Sequence, residues 1–304
     1  MDRAKYQGFL TAAVTAYDPD HTLSEKTAHA LMEKNIREGA RGFLIGGSSG
    51  EGPLLSHQER ERQLEIAASY PRPEGILLMG AVSAFSTEEA ITYAKCADRL
   101  GYDAIISTVP YYYKFGSKGI AGYFRDIREH VDRPLFLYNF PGNTGIEIDI
   151  EDESIQAILQ DGTISGVKQT SLNLYQMERI RSLNPELVIY GGYDEVYLGA
   201  RILGADGAIG STFNFTLPLF LEIERCYQSR EIEKAQKLQK RANNIMQTLV
   251  HCSLFPSIKY VLSLEGIDCG PCRSPFPVLS EDQKACIRAC IKENMPEIWK
   301  DLNV

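Results

Sequence analysis

Short apolar runs rich in β-branched residues alternate with longer amphipathic runs along most of the chain. The short runs are residues 8–16, 42–47, 75–82, 103–109, 134–139, 162–168, 187–191 and 205–211. Several are apolar at nearly every position, as in Phe43-Leu44-Ile45 and Leu135-Phe136-Leu137. A strand with one wet face would alternate. Unbroken apolar runs of this length fit parallel strands covered on both faces.

The longer runs read as helices. Residues 24–37 begin with a Ser N-cap, and 56–69 begin with Ser56 followed three residues later by Glu59, a capping box. Residues 86–100 repeat the pattern with Ser86 and Glu89. Gly39, Gly101 and Gly204 fall just past helix ends, where positive φ is commonly needed. Eight strand–helix units in strict alternation, without linker or low-complexity segment, predict an α/β fold. The expected architecture is a closed (β/α)8 TIM barrel over residues 1–215. A C-terminal helical extension, residues 216–304, includes the last barrel helix and belongs to the same structural unit. A doubly wound open sheet is the competing fold, but no nucleotide-binding turn follows the first strand.

Composition narrows the function. The 304 residues are 44% hydrophobic and carry a formal net charge of −8, which disfavours nucleic acid and anionic membrane as partners. The N-terminal stretch Met1-Asp2-Arg3-Ala4-Lys5-Tyr6 has no apolar signal core, and no apolar run reaches the ~20 residues of a membrane span. A soluble, cytoplasmic protein is expected, with its seven cysteines kept as thiols. Any basic group that holds an acidic substrate must then be local.

In such barrels the chemistry lies at the C-terminal strand ends. The second strand ends in Gly46-Gly47-Ser48-Ser49-Gly50-Glu51-Gly52. Its amides and hydroxyls can cradle a small anion, or it is a plain βα turn; with no following lysine it is not a Walker A loop. At the end of the fifth strand, Tyr138 is either a packed aromatic or a proton shuttle. The sixth ends in Lys168-Gln169-Thr170. A lysine ending an apolar strand is either solvated or a desolvated amine able to add to a ketone. Adjacent strands lie ~4.8 Å apart, so Tyr138 and Lys168 can meet. Past the seventh strand, Asp194 and Glu195 can bind a polyhydroxylated substrate or cap a helix.

The ordered motifs GGSSGE, VPYYY, YNFPGNTG, GVKQTS and GSTFN resemble the dihydrodipicolinate synthase/N-acetylneuraminate lyase family over essentially the whole chain. Lys168-Gln169-Thr170-Ser171, Leu174–Glu178 and Gly192-Tyr193-Asp194-Glu195 most resemble its N-acetylneuraminate-cleaving branch. The resemblance implies a Schiff-base aldolase that releases pyruvate. Lys168 would form the imine, and Tyr138 would move protons. Ser48 and Ser49 would hold the pyruvate carboxylate, with Ser48 linking Tyr138 to Tyr112 of a neighbouring subunit. Thr170, Gly192, Asp194, Glu195 and Ser211 would contact the sugar-derived part. It also implies a homotetramer (a dimer of dimers), with no metal or other cofactor beyond the covalent lysine imine. Two positions depart from the pattern. Asn143 stands where dihydrodipicolinate synthases carry an arginine, and Leu172-Asn173 replaces the small-plus-acidic pair expected of lyases.

Other motifs have simpler readings. Cys269-Gly270-Pro271-Cys272 has redox-motif spacing, and with Cys286 and Cys290 it mimics a zinc site; buried thiols are the simpler reading. The five histidines, His21, His29, His57, His130 and His251, have no metal-ligand spacing. Tyr111-Tyr112-Tyr113 reads also as a subunit contact, and Arg60-Glu61-Arg62 as a solvated helix face. The alternatives to the lyase reading are another pyruvate-dependent aldolase or dehydratase acting on a sugar acid or 4-hydroxy-2-oxo acid, and a non-catalytic barrel that binds a 2-oxo acid.

Overall fold

Each apolar run becomes a strand, buried along its length apart from the first residue of β1: β1 (Gly8–Ala12), β2 (Gly42–Ile45), β3 (Leu77–Ala81), β4 (Ala104–Thr108), β5 (Leu135–Asn139), β6 (Gly166–Gln169), β7 (Val188–Gly191) and β8 (Gly207–Gly210). The structure, a computed structural model, describes residues 2–299. The strands pair in chain order, all parallel, and β8 closes on β1. This is a TIM barrel. Closure removes every sheet edge, which leaves inside and outside as the two faces.

Those faces make two cores. The barrel interior holds Leu10, Leu44, Met79, Ile106, Phe136, Tyr138, Val188, Tyr190 and Ile209. Tyr6 plugs the lower end, where its hydroxyl donates to the Asp103 carbonyl at 2.9 Å and its own carbonyl accepts from the Tyr190 hydroxyl. A larger shell, with Phe43, Leu78, Ile105, Leu137, Val167 and Ile189, packs between the strands and the surrounding helices. Burial on both sides explains why the strands read as continuous apolar runs.

The helix signals hold. Ser24 caps Glu25–Arg37, and Ser56 and Glu59 form both arms of a capping box at 3.3 and 2.8 Å. Ser86 caps Thr87–Arg99. Strand limits are tighter than the apolar runs. β1 stops at Ala12 because the side chain of Asn214 takes over the ladder, donating to Ala12 O at 2.9 Å and accepting from Val14 N at 3.3 Å. β6 starts only at Gly166, since Gly162 turns with φ 89° and Thr163 N bonds the Asp161 carboxylate at 2.9 Å.

Beyond β8 the chain is helical: Phe213–Gln228, Ile232–Cys252, Leu254–Leu264, Glu281–Asn294 and Pro296–Trp299. The first of these runs across residues 215 and 216 without a break. No described helix is long and apolar enough to cross a membrane.

Gly166 sets the floor beneath the barrel mouth. A Cβ there would lie 2.3 Å from the Phe136 ring and 2.5 Å from the Val188 carbonyl oxygen. The backbone cannot give way, so Gly166→Ala should cost about 1–3 kcal/mol through overpacking. Equilibrium denaturation of the variant checks this; unchanged stability would mean that the Phe136 ring relocates freely.

Candidate active site

The barrel register brings the two central residues together. Tyr138 on β5 pairs directly with Lys168 on β6, and Lys168 with Tyr190 on β7. Partners in register on parallel strands point to the same side. Both side chains enter the barrel mouth and are buried, and Lys168 Nζ lies 4.1 Å from the centroid of the Tyr138 ring. The amine thus sits over the ring face. Phe140 stacks on the same tyrosine, with ring centroids 5.4 Å apart and planes 14° apart.

The next residues along these strands point outward and lock the pair. Asn139 Nδ2 donates to Gln169 Oε1 and to Gln176 Oε1, both at 2.9 Å, and Gln169 Nε2 donates to Gln176 Oε1 at 2.7 Å. Gln176 Nε2 then donates to the Ile148 carbonyl at 2.8 Å. A buried, connected amide network resists any slip of β5 against β6. Asn173, one of the departures from the family pattern, caps Leu174–Leu183 and accepts from Gln176 N at 3.0 Å. Its neighbour Leu172 is exposed.

After β2, the glycine loop folds back on itself. A Cβ at Gly52 would lie 2.1 Å from the Gly46 carbonyl oxygen, so the approach needs glycine. Thr15 and Gln63 both donate to the Gly50 carbonyl. Ser48 lines the cavity at the mouth, while Ser49 is buried. Glu51 takes a left-handed φ of 56° and turns away, its carboxylate ion-paired with Lys259 at 2.7 Å and accepting from Arg273 N at 2.7 Å. The helical extension therefore holds the loop from behind.

Across the mouth, Gly192 is equally constrained. A Cβ there would lie 1.8 Å from Thr170 Oγ1 and 3.1 Å from Lys168 Cε. Asp194 is buried and accepts from the Thr212 hydroxyl at 2.6 Å and the Thr212 N–H at 3.1 Å through one oxygen; its other oxygen has no partner. Gln239 of the extension supports it, donating to the Asp194 carbonyl at 3.0 Å. Burial pushes the Asp194 carboxyl up to about 6, with Glu195 adding and Lys168 and the Thr212 bonds opposing. Burial also raises Glu195. Ser211 is half-buried beyond β8, next to Thr212.

A cavity of about 440 Å³ opens at this end, lined by Ser48, Tyr138, Phe140, Asn143, Thr108, Tyr111 and Arg60 among others. Lys168, Thr170, Gly192, Asp194, Glu195 and Ser211 are outside its lining and lie on the β6–β8 side of Tyr138. Tyr112 is exposed, packed on Tyr113 and Phe85 with centroids 5.1 and 6.2 Å away, and does not line the cavity of its own chain.

Three contributors were not legible beforehand. Arg60, read as part of a solvated face, is buried. Its guanidinium stacks 3.8 Å from the Tyr93 ring centroid and donates to the Ser83 and Ala81 carbonyls at 2.8 and 3.1 Å. The signal was helical spacing, since Arg60 shares a face with the buried Gln63, Leu64 and Ala67. Phe140 and Tyr193 meet edge-on at 6.0 Å. Burial, with Glu195 and Tyr138 adding, pushes the Tyr193 phenol up. Nothing local marked that contact.

The cysteine motif lies elsewhere. Cys269 is buried and Cys272 half-buried beside Glu51 and Lys259, and burial pushes both thiols up to about 12. Among the described residues no group of three or more His, Cys, Asp or Glu side chains is arranged to hold a metal ion.

The Asp194 carboxyl binds its proton more tightly in the folded chain, at about 6, than at its ordinary value of 3.8. Its stabilising share is therefore complete below about pH 4 and lost as pH rises through about 6. Asp194→Asn keeps an acceptor for Thr212. It should raise the melting temperature relative to the native chain at about pH 7 and lose that advantage at about pH 4. A pH-independent difference would contradict the assignment.

The sequence pattern of the Dihydrodipicolinate synthetase family matches residues 5–294. An N-acetylneuraminate lyase of Rhizobium meliloti is 33% identical over 288 residues, covering 94% of this chain and 95% of the relative. The structure resembles CdNal from Clostridium difficile, solved in complex with mannosamine, with a TM-score of 0.90, 31% identity, and coverage of 95% of this chain and 99% of that one. Its fold is matched as well by a dihydrodipicolinate synthase of Bacillus anthracis, with a TM-score of 0.90 at 24% identity, covering 94% and 98%. With the barrel, the β5–β6 residue pair and the looped glycines in place, the chain belongs to the dihydrodipicolinate synthetase family of enzymes.

Proposed function

We propose that the protein is a Schiff-base (class I) aldolase that cleaves N-acetylneuraminate to N-acetylmannosamine and pyruvate. The observation that carries the reading is the buried amine of Lys168, 4.1 Å from the ring centroid of Tyr138 at the barrel mouth. An amine removed from water beside a phenol has what imine formation needs: a nucleophile and a proton carrier.

The unprotonated amine of Lys168 attacks the C2 ketone of the open-chain sugar acid. Water leaves the carbinolamine, with Tyr138 passing the proton. The resulting iminium draws electrons as the C4 hydroxyl loses its proton and the C3–C4 bond breaks. N-acetylmannosamine departs as the aldehyde, leaving an enamine on Lys168. Protonation at C3 and hydrolysis release pyruvate and restore the amine. The chemistry calls for no metal or other cofactor. Ser48 and Ser49, in the loop held by Thr15, Gln63 and Glu51, serve the pyruvate carboxylate. Thr170 and Asp194, each with a buried oxygen lacking a partner, suit substrate hydroxyls, as does Glu195. Gly192 leaves the space, and Ser211 completes that side. Tyr112 acts from a neighbouring subunit of a homotetramer. Its exposed aromatic surroundings, Phe85, Tyr113 and Phe115, suit such a contact.

One observation favours a second reading. Asn143, a polar residue where the usual lyase pattern is apolar, lines the cavity. An aldolase acting on a different sugar acid or 4-hydroxy-2-oxo acid would use the same imine.

Borohydride with pyruvate should trap a covalent adduct on Lys168; a trapped peptide carrying another lysine would remove the proposed nucleophile. Purified protein given N-acetylneuraminate should form pyruvate, and Lys168→Ala should form none. Imine trapping without pyruvate release from this substrate would favour the second reading. Tyr138→Phe should slow turnover by ~10²-fold or more, as expected for loss of a positioned proton carrier. A near-native rate would exclude that role.

A further inference from the structure

All seven cysteines are free thiols, and the aldolase reading uses none. Most are poor reactants. Cys96, Cys226 and Cys269 are buried, and Cys272 is held protonated by its surroundings. The packing of Ile232–Cys252 against Glu281–Asn294 is different. Cys252 ends the first helix and is 1% exposed, whereas Cys286 on the second is exposed, the only one of the seven in that class. Cys252 Sγ lies against the turn of the second helix that leads to Cys286, 4.0 Å from the Gln283 carbonyl oxygen.

Side-chain-to-backbone contacts through Gln283 hold the two helices together at this point. Gln283 lies one turn before Cys286 on the same helix. Its Nε2 donates to the Cys252 carbonyl at 3.1 Å, and its own carbonyl oxygen lies 4.0 Å from Cys252 Sγ. The face that carries Gln283 and Cys286 is thus pinned against Cys252. Cys290 is one turn further on, engaged with the Asn244 carbonyl at 3.6 Å.

We propose that Cys252 and Cys286 form a peroxide-reactive dithiol, in which Cys286 is oxidised first and Cys252 closes a disulfide with it. The thiolate of Cys286 attacks one oxygen of hydrogen peroxide, the O–O bond breaks, and hydroxide leaves. Cys286 is then a sulfenic acid. The sulfur of Cys252 attacks that sulfur, the S–O bond breaks, and the departing hydroxide takes the Cys252 proton. Two thiols and one peroxide become one disulfide and two waters, the sulfurs supplying the electron pair that reduces the peroxide.

Exposure decides the order, because an oxidant reaches Cys286 first. Burial, with Cys286 and Cys290 adding, keeps the Cys252 thiol protonated above its ordinary range, so it is not the thiol that peroxide oxidises first. Geometry decides the pairing. Side chains four apart on a helix have Cβ atoms about 5–6 Å apart. A disulfide needs about 3.5–4.5 Å. Cys290 is therefore a poor partner for Cys286, and the thiol across the helix interface is the better one. The site also has a connection to the barrel mouth. Cys252 precedes Ser253, whose φ of 88° starts the helix that carries Lys259, the partner of Glu51.

The test uses the full, reduced chain and an equivalent of hydrogen peroxide. Remaining thiols are alkylated, and peptides are mapped by mass spectrometry without reduction. A Cys252–Cys286 linked peptide is expected, with loss of both thiols and recovery in dithiothreitol. Cys286→Ser should abolish the link and slow thiol loss by about tenfold or more, since it removes the exposed thiol. Cys252→Ser should let dimedone trap a persisting sulfenic acid on Cys286. Cys290→Ser should leave the link intact. A Cys286–Cys290 link, a bond between two chains through Cys286, or oxidation of Cys286 to the sulfinic acid with no link would each overturn the proposal. Should Cys252→Ser fail to fold, Cys286→Ser alone still decides it.

Discussion

The β5–β6 register governs the mouth of this barrel. In a parallel ladder one residue of slip turns every side chain to the opposite face. Slipping β6 by one would send Lys168 out among the helices and bring Gln169 in. The register that pairs Tyr138 with Lys168 is held from the dry side by Asn139, Gln169 and Gln176. It is also held from below, where Gly166 leaves room for the Phe136 ring. The Tyr138–Lys168 pair and the amides that lock it are neighbours along the same two strands.

The helical extension does for the loops what the ladder does for the strands. Lys259 reaches Glu51 behind the glycine loop, and Gln239 reaches Asp194 beyond β7. The Lys259–Glu51 pair is almost wholly buried, and Arg273 N–H and the Tyr17 ring share in it. Breaking such a pair by removing one partner commonly costs several kcal/mol, because a charge is left alone in a dry place. The pair adds little to stability over an apolar isostere, yet it restrains the loop strongly. Residues far apart in the chain thus position Ser48 and Ser49.

The mouth also carries unsatisfied polarity. Thr108, Thr170, Asp194 and Glu195, at or just past the ends of β4, β6 and β7, each have a buried oxygen without a partner. Unpaired buried polar groups cost about 1–3 kcal/mol each. The barrel offsets that cost with two apolar cores, and the groups remain available to a ligand. The raised Asp194 carboxyl is the electrostatic trace of the same arrangement.

What the sequence determined by itself was everything local or periodic. Unbroken apolar runs gave the strand count, Ser-x-x-Glu spacing gave helix starts, and alternation of the two gave the barrel. That Lys168, Tyr138 and Ser48 lie at the mouth was legible because strand-end positions in this fold face it and because their motifs keep chain order. The tertiary structure alone decided how far each strand runs, since Asn214, some 200 residues away, ends β1. It alone turned Arg60 inward beneath Tyr93, set Phe140 against Tyr193, and laid Cys252 against Gln283 on the helix that carries Cys286. Periodicity reports which face of an element is apolar. Which polar side chain closes on which partner depends on packing between elements distant in the chain, and no local pattern encodes that distance.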